Sequence, residues 1–128
     1  MKNYLKLIRP YGILFLGFTP VFSAIANNEL SFSHLTVLFI IGIFTHIFGF
    51  VQNDYYDFEM DSKSKYVSSR PLSAGYVSKK TAFAIFTLFF LISLILAVVF
   101  LFSFVSFLFL LFSFFCMSVY NRYSKLFF

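Results

Sequence analysis

The chain has 128 residues, of which 60% are hydrophobic and 12% are charged, and its formal net charge is +5. The charged share is about half of that in an ordinary soluble domain. Several apolar runs reach the 18 or more residues that predict a membrane-spanning helix. The polar segments are too short to form a second, soluble domain. The pattern of basic and interleaved aromatic residues that is typical of a nucleic-acid groove is absent from the sequence, so nucleic acid is not expected as a partner. We therefore expect an all-α, multi-span transmembrane helical bundle.

The first apolar segment, at about residues 10–27, follows a basic lead of nine residues. It fits a secretory signal with Ala24-Ile25-Ala26 as its cleavage site, or a first transmembrane helix. The transmembrane interpretation is favoured, because more spans follow and because Pro10 and Pro20 poorly suit the apolar part of a signal. Both interpretations place the N-terminus in the cytoplasm.

Three further helices are predicted. The second apolar stretch runs straight into an acidic motif and predicts a helix at about 35–60. Residues 62–80 contain Pro71 and Gly75 and predict a loop or a short surface helix. The uncharged residues 81–120 are about twice the ~20 needed for one span, so we expect helices at about 81–99 and 103–120 with a turn between Val98 and Ser106. Cys116 lies in this run and is interpreted as a packing residue.

The basic residues predict the orientation of the four spans. All ten Lys and Arg residues fall in segments 1–9, 53–80 and 121–128, and the two other connections have none. Because cytoplasmic connections are enriched in Lys and Arg, the N-terminus and the acidic motif are expected on the cytoplasmic side, in the cell membrane.

The acidic motif occupies residues 53–61 and contains four of the five acidic residues of the chain. At the helical step of 100° per residue, Asn53, Asp54, Asp57 and Asp61 lie at roughly 0°, 100°, 40° and 80°. They share one face of the helix, whereas Glu59 points away. Three carboxylates on one face repel each other unless a cation lies between them. Oxygen ligands of this kind suit Mg²⁺ or Mn²⁺, which typically also bind phosphate oxygens of a substrate.

The alternative to a metal site is a solvated helix end, in which the acidic residues pair with Lys63 and Lys65. Insertion of one aspartate at the centre of a membrane helix costs about 2.5–3.5 kcal/mol. Three together must therefore face a water-filled cavity or the interface, and a functional role is favoured. For Glu59 alone the pairing with Lys63 is favoured. His46 shares the face about two turns deeper, and a hydrogen-bonded core histidine is favoured over contact with a substrate.

The motif resembles the first aspartate-rich motif of the UbiA-type intramembrane prenyltransferases, N-D-x-x-D-x-x-x-D, which residues 53–61 match at the same spacing. The sequence R-P-L-S-A-G at residues 70–75 is similar to the R-P-L-x-x-G that often follows it in this family. The Arg9-Pro10 opening of the first helix and the segment from Tyr120 to Lys125 are weaker similarities.

The resemblance implies Mg²⁺-dependent transfer of a polyprenyl group from its diphosphate to an acceptor that is commonly aromatic. It implies that the metal is held on the diphosphate by Asn53, Asp54, Asp57 and Asp61, and that the three aspartates are the catalytic residues. It also implies that Asn53 contributes to substrate binding, that Arg70 lies near the phosphate entrance and that Lys125 reaches the same group. For Arg70, a role as a membrane-surface anchor is equally favoured.

The family usually has more helices and a second aspartate-rich motif in its later half, whereas no acidic residue follows Asp61 here. The chain, residues 1–128, therefore resembles the N-terminal half of the family fold as one domain. The alternative is a non-catalytic or truncated half that binds membrane lipid, or that pairs with a second-half polypeptide or forms a homo-oligomer. The CDP-alcohol phosphotransferases also carry spaced aspartates at a helix end, but their D-G-x-x-A-R element is missing.

Overall fold

The computed structural model describes residues 2–101 and 103–124. These residues form five helices: α1 (Lys2–Leu7), α2 (Pro10–Ala26), α3 (Phe32–Lys63), α4 (Lys79–Leu96) and α5 (Phe104–Tyr123). A π-helical segment, Ala97–Leu101, extends α4. The described ranges are 81% helical and contain no strand, so the prediction of an all-α fold is confirmed.

Four helices are apolar enough to belong to a membrane bundle. Helix α3, α4 with its π-helical extension, and α5 are each long and apolar enough to cross a membrane, and α2 is a shorter apolar helix of 17 residues. A helix of that length extends about 26 Å and lies at the lower end of the range for a membrane span. The chain is an integral membrane protein with about four spans.

The short helix α1 was not predicted from the sequence. Its last residue, Leu7, is fully buried and belongs to the same apolar core as Val51 and Leu72. Burying a leucine side chain contributes about 1.5–3 kcal/mol, which holds α1 against the C-terminal half of α3. The basic lead is thus an ordered part of the bundle.

Helix α3 is the central element of the fold. It has 32 residues, a length of about 48 Å, and it contacts α2, α4 and α5. It begins three residues before and ends three residues after the predicted helix, so the acidic motif continues the helix past the apolar part. The other long helices therefore all pack against the helix that carries the aspartates.

Aromatic side chains form much of the core between α3, α4 and α5. Phe48 of α3 makes edge-on contacts with Phe114 of α5, at 4.7 Å between ring centroids, and with Phe86 of α4, at 5.9 Å. Phe90 of α4 lies 4.9 Å from Phe114 in the same orientation. Edge-to-face geometry of this kind favours aromatic pairs beyond the area that they bury, so these phenylalanines fix the relative positions of three helices.

The connection between α3 and α4, residues 64–78, is irregular but anchored. Leu72 and Val77 are 1% and 3% exposed, and the Val77 amide donates to the Pro71 carbonyl at 3.1 Å. Gly75, at the tip of this turn, has a φ of 76°, in the left-handed region that favours glycine. The anchored turn holds the preceding Arg70 next to the end of α3.

The reversal between the last two helices lies between the π-helical segment and α5. Ser103 is the N-cap of α5, and its hydroxyl accepts from the Ser106 amide at 3.3 Å. A serine cap satisfies one of the free amides at a helix start, so α5 begins within the predicted interval 98–106 at a residue other than glycine or proline.

Helices α2 and α3 approach each other at two glycines. A Cβ atom added to Gly42 would lie 2.8 Å from the Gly17 carbonyl oxygen and 3.0 Å from the Leu16 carbonyl oxygen. Because both neighbours are backbone atoms, they cannot move aside as a flexible side chain can. Gly42 therefore allows the backbones of α2 and α3 to pack closely.

We predict that Gly42→Leu separates α2 from α3. Overpacking at such a contact costs about 1–3 kcal/mol, so the variant should unfold at lower temperature in detergent. Ala84→Leu is the matched control, because Ala84 is exposed on the outer surface of α4. Equal unfolding temperatures for Gly42→Leu and the wild-type chain would contradict the proposed backbone contact.

Candidate functional site

The aspartates of the acidic motif lie on the inward face of α3. Asp54, Asp57 and Asp61 are 2%, 3% and 7% exposed, whereas Glu59 is exposed. Asn53 is half-buried beside them. Helical periodicity predicted this common face, and the packing of α3 turns it toward the interior of the bundle.

Two arginines from separate segments form ion pairs with these aspartates. Arg9, between α1 and α2, donates from Nη2 to Oδ1 of Asp54 at 2.5 Å. Arg70 donates from Nη1 to Oδ2 of Asp61 at 2.7 Å, and the same nitrogen lies 3.4 Å from Oδ1 of Asp54. The Asp54 carboxylate therefore lies between two guanidinium groups, which offset the cost of removing it from water.

The lysines near the motif do not take this role. Lys63 and Lys65 are exposed, and in the part of the chain that the structure describes neither forms an ion pair with Glu59 or Asp61. The pairing expected for a solvated helix end is therefore not observed, including the Glu59–Lys63 pair. The aspartates are compensated from inside the fold instead.

Arg9 was not singled out as a site residue from the sequence. It precedes Pro10, the first residue of α2, and has a φ of 50°, so the chain bends sharply there. Its guanidinium lies 4.7 Å from the centroid of the Phe50 ring, within cation–π distance. The sequence signal was a cation directly before a proline-initiated membrane helix, at the same membrane level as the aspartates.

Arg70 reaches the aspartates because the following turn is buried. Pro71 and Leu72 are buried, while the Arg70 side chain is 32% exposed. Its guanidinium contacts two carboxylates of α3, whereas the guanidinium of a membrane-surface anchor would point away from the bundle.

A cavity of about 900 Å³ begins at the acidic motif and extends between α2, α3 and α5. Its polar end is lined by Asn53, Asp57, Asp61 and Arg70. Its other lining residues include Leu16, Pro20, Ile41, Leu110 and Met117. A cavity with charged groups at one end and apolar walls beyond fits an amphiphile that has an anionic head and a hydrocarbon chain.

His46 lines the same cavity deeper in the bundle. It is 4% exposed, and its Nε2 lies 3.1 Å from the Ile8 carbonyl oxygen and 3.2 Å from that of Arg9. Because carbonyl oxygens only accept hydrogen bonds, Nε2 carries the proton. The expectation of a hydrogen-bonded core histidine agrees with these contacts, and His46 ties the bend at Arg9 to α3.

The end of α5 is held to α3 by a polar network that the sequence analysis did not identify. Asn121 donates from Nδ2 to the Gly49 carbonyl at 3.0 Å and to Gln52 Oε1 at 3.1 Å, and Gln52 Nε2 donates to Ser118 Oγ at 3.1 Å. Asn121 also lines the cavity. The available signal was a pair of amide side chains at the ends of two apolar runs.

The oxygen atoms at the polar end suit a hard divalent cation. Asn53, Asp57 and Asp61 offer one amide and two carboxylate groups to the cavity, and Mg²⁺ prefers such ligands together with phosphate oxygens. Among the described residues, however, no three His, Cys, Asp or Glu side chains are arranged to hold a metal ion. The residue types fit the cation, while Asp54 and Asp61 are turned to arginines. Lys125, expected near the phosphate, lies outside the described residues.

The chain matches the model of the UbiA prenyltransferase family over residues 13–128. It is similar to the 4-hydroxybenzoate octaprenyltransferases of Vibrio cholerae serotype O1, with 36% identity over 86 residues, and of Shewanella woodyi, with 34% identity over 97 residues. These matches cover 66% and 72% of this chain, but 30% and 34% of the relatives.

A third relative, the 4-hydroxybenzoate octaprenyltransferase of Marinomonas sp., is 33% identical over 91 residues, which cover 67% of this chain and 32% of that protein. The chain thus spans about a third of the length of the curated relatives that it matches. No solved structure matches it. The family match includes α3, Arg70 and all of the residues that line the cavity, and the chain belongs to the UbiA prenyltransferase family.

Proposed function

We propose that the chain forms the diphosphate-binding part of an enzyme that transfers a polyprenyl group from its diphosphate to an aromatic acceptor inside the membrane. The observation that carries the proposal is the burial of three aspartates at one end of a cavity of about 900 Å³ with apolar walls. Buried acidic side chains in a membrane protein are costly and usually functional. The size and polarity of the cavity suit a prenyl chain with a charged head.

Mg²⁺ is the proposed cofactor, with Asn53, Asp57 and Asp61 as ligands from the cavity wall and Asp54 beside them. When bound, it neutralises the diphosphate and makes it a better leaving group. Arg70, at the same end of the cavity, is positioned to contact phosphate oxygens, and Lys125 is proposed to reach them as well. Arg9 pairs with Asp54 and orients its carboxylate.

The apolar part of the cavity is proposed to hold the prenyl chain and to exclude water. Exclusion matters because an allylic fragment that leaves with carbocation character reacts with water as readily as with the acceptor. The relatives are named as 4-hydroxybenzoate octaprenyltransferases, so a hydroxybenzoate-like aromatic acceptor and a long polyprenyl donor are the proposed substrates.

A non-catalytic or truncated half is the second candidate, because the chain spans about a third of its relatives and carries one aspartate motif. In that case it binds lipid, or it pairs with a polypeptide or a second copy that supplies the other motif. Co-expression with the later half of a relative distinguishes the two: prenyl transfer by the chain alone supports the first, and transfer that appears only with the added half supports pairing.

We predict that Asp57→Asn abolishes Mg²⁺-dependent binding of a polyprenyl thiodiphosphate. Loss of one metal-binding carboxylate should weaken binding about 100-fold or more, measured with radiolabelled ligand on the chain in lipid nanodiscs. Glu59→Gln is the matched control, because Glu59 is an exposed acid on the same helix. Wild-type affinity in Asp57→Asn would refute the assignment.

The proposed orientation, with the aspartates at the cytoplasmic side of the cell membrane, predicts opposite labelling at the two ends of α3. In a Cys116→Ser background, Ser33→Cys should react with an impermeant maleimide in intact cells, and Ser62→Cys only after permeabilisation. Both serines are exposed and lie on the same helix. Labelling of Ser62→Cys in intact cells would reverse the orientation.

A further inference from the structure

Arg70 contacts the aspartates that the proposed metal site requires. Its Nη1 donates to Asp61 Oδ2 at 2.7 Å and lies 3.4 Å from Asp54 Oδ1, so one guanidinium bridges two carboxylates that lie about two helical turns apart. Among the described residues, no three His, Cys, Asp or Glu side chains are grouped to hold a metal ion, and Arg70 lies at two of the carboxylates. Asp61 and Arg70 both line the large cavity.

Two carboxylates of the cluster already have cationic partners without a metal ion. Among the described residues, Arg9 pairs with Asp54, and Arg70 pairs with Asp61 and lies close to Asp54. A free divalent cation that entered would add positive charge next to two guanidinium groups. A cation that carries a diphosphate would bring negative charge with it, and Arg70 would have a new partner.

We infer that Arg70 is the counter-ion of the aspartates when no ligand is bound. It keeps free divalent cations from binding to the aspartates, and it gives up its contact with the aspartates to a cation that arrives with a diphosphate. The inference rests on the proposed function and deepens it, because it makes the site specific for the metal–diphosphate complex. Arg9 is placed differently, since its guanidinium pairs with Asp54 and lies over the Phe50 ring, and its backbone carbonyl is held by His46.

The arrangement has a thermodynamic consequence. If exchange of Arg70 from Asp61 to a phosphate accompanies binding, metal and diphosphate each raise the affinity for the other, by the same factor. Removal of the guanidinium should therefore strengthen binding of the metal alone and weaken this coupling. An arginine that is only a phosphate ligand would change the coupling and leave the affinity for the metal alone unchanged.

The test measures Mn²⁺ binding by electron paramagnetic resonance to the full chain in nanodiscs, with and without inorganic pyrophosphate. Wild-type protein should bind Mn²⁺ weakly unless pyrophosphate is present. Arg70→Gln should bind Mn²⁺ alone about tenfold more tightly or better, because a positive charge next to the ligands is removed. Pyrophosphate should then add much less to the affinity than it adds in the wild-type chain.

Two further variants make the result specific. Arg122→Gln is the matched control, since Arg122 is exposed on α5 and its guanidinium lies over the Tyr123 ring; it should behave as wild type. Arg70→Lys retains the charge but cannot bridge two carboxylates, so it should bind Mn²⁺ alone about threefold more tightly. This variant provides the test if Arg70→Gln does not fold.

The outcomes separate this inference from the proposed function. Unchanged affinity for Mn²⁺ alone in a folded Arg70 variant, with weaker coupling, would overturn the counter-ion role and leave the diphosphate site intact. If Mn²⁺ binds to neither the wild-type chain nor the variants, even with pyrophosphate, the metal site itself is wrong and the inference is overturned with it.

Discussion

The bundle depends on the neutralisation of three buried carboxylates at the end of one helix. Asp54, Asp57 and Asp61 lie inward on α3, and an isolated charge in such a place would cost several kcal/mol. Arg9 and Arg70 meet this cost from opposite directions along the chain. The bend before Pro10 and the anchored loop place these two cations against α3.

Helix α3 connects the membrane interior with the charged layer. Its middle part packs through Gly42 against α2 and through Phe48 against α4 and α5, and its last turns carry the aspartates. The cavity lies beside both regions of α3. A ligand that spans both regions would therefore meet a largely apolar lining and a polar end on the same helix.

Local patterns were enough to predict part of the site. Helical periodicity alone places Asp54, Asp57 and Asp61 on one face and Glu59 off it, because the angle between residues of one helix is fixed. The pairing of Arg9 with Asp54 spans 45 residues, and that of Asn121 with Gly49 spans 72. Such contacts depend on how separate helices are placed, which composition and periodicity do not determine. The same reason explains why α1 was missed: Leu7 is helical because its neighbours bury it.

The hydrogen bond from His46 to the carbonyls at the bend has a mechanical consequence. It fastens the start of α2 to the middle of α3, and Gly12 leaves space for the ring, since a Cβ there would lie 2.7 Å from His46 Cε1. The backbone at Arg9 is therefore tied directly to α3. Arg70 belongs to a loop that is anchored through the buried Leu72 and Val77. The two cations thus reach the same aspartates on different supports, one fastened to α3 by a hydrogen bond and the other carried by a loop with an apolar anchor.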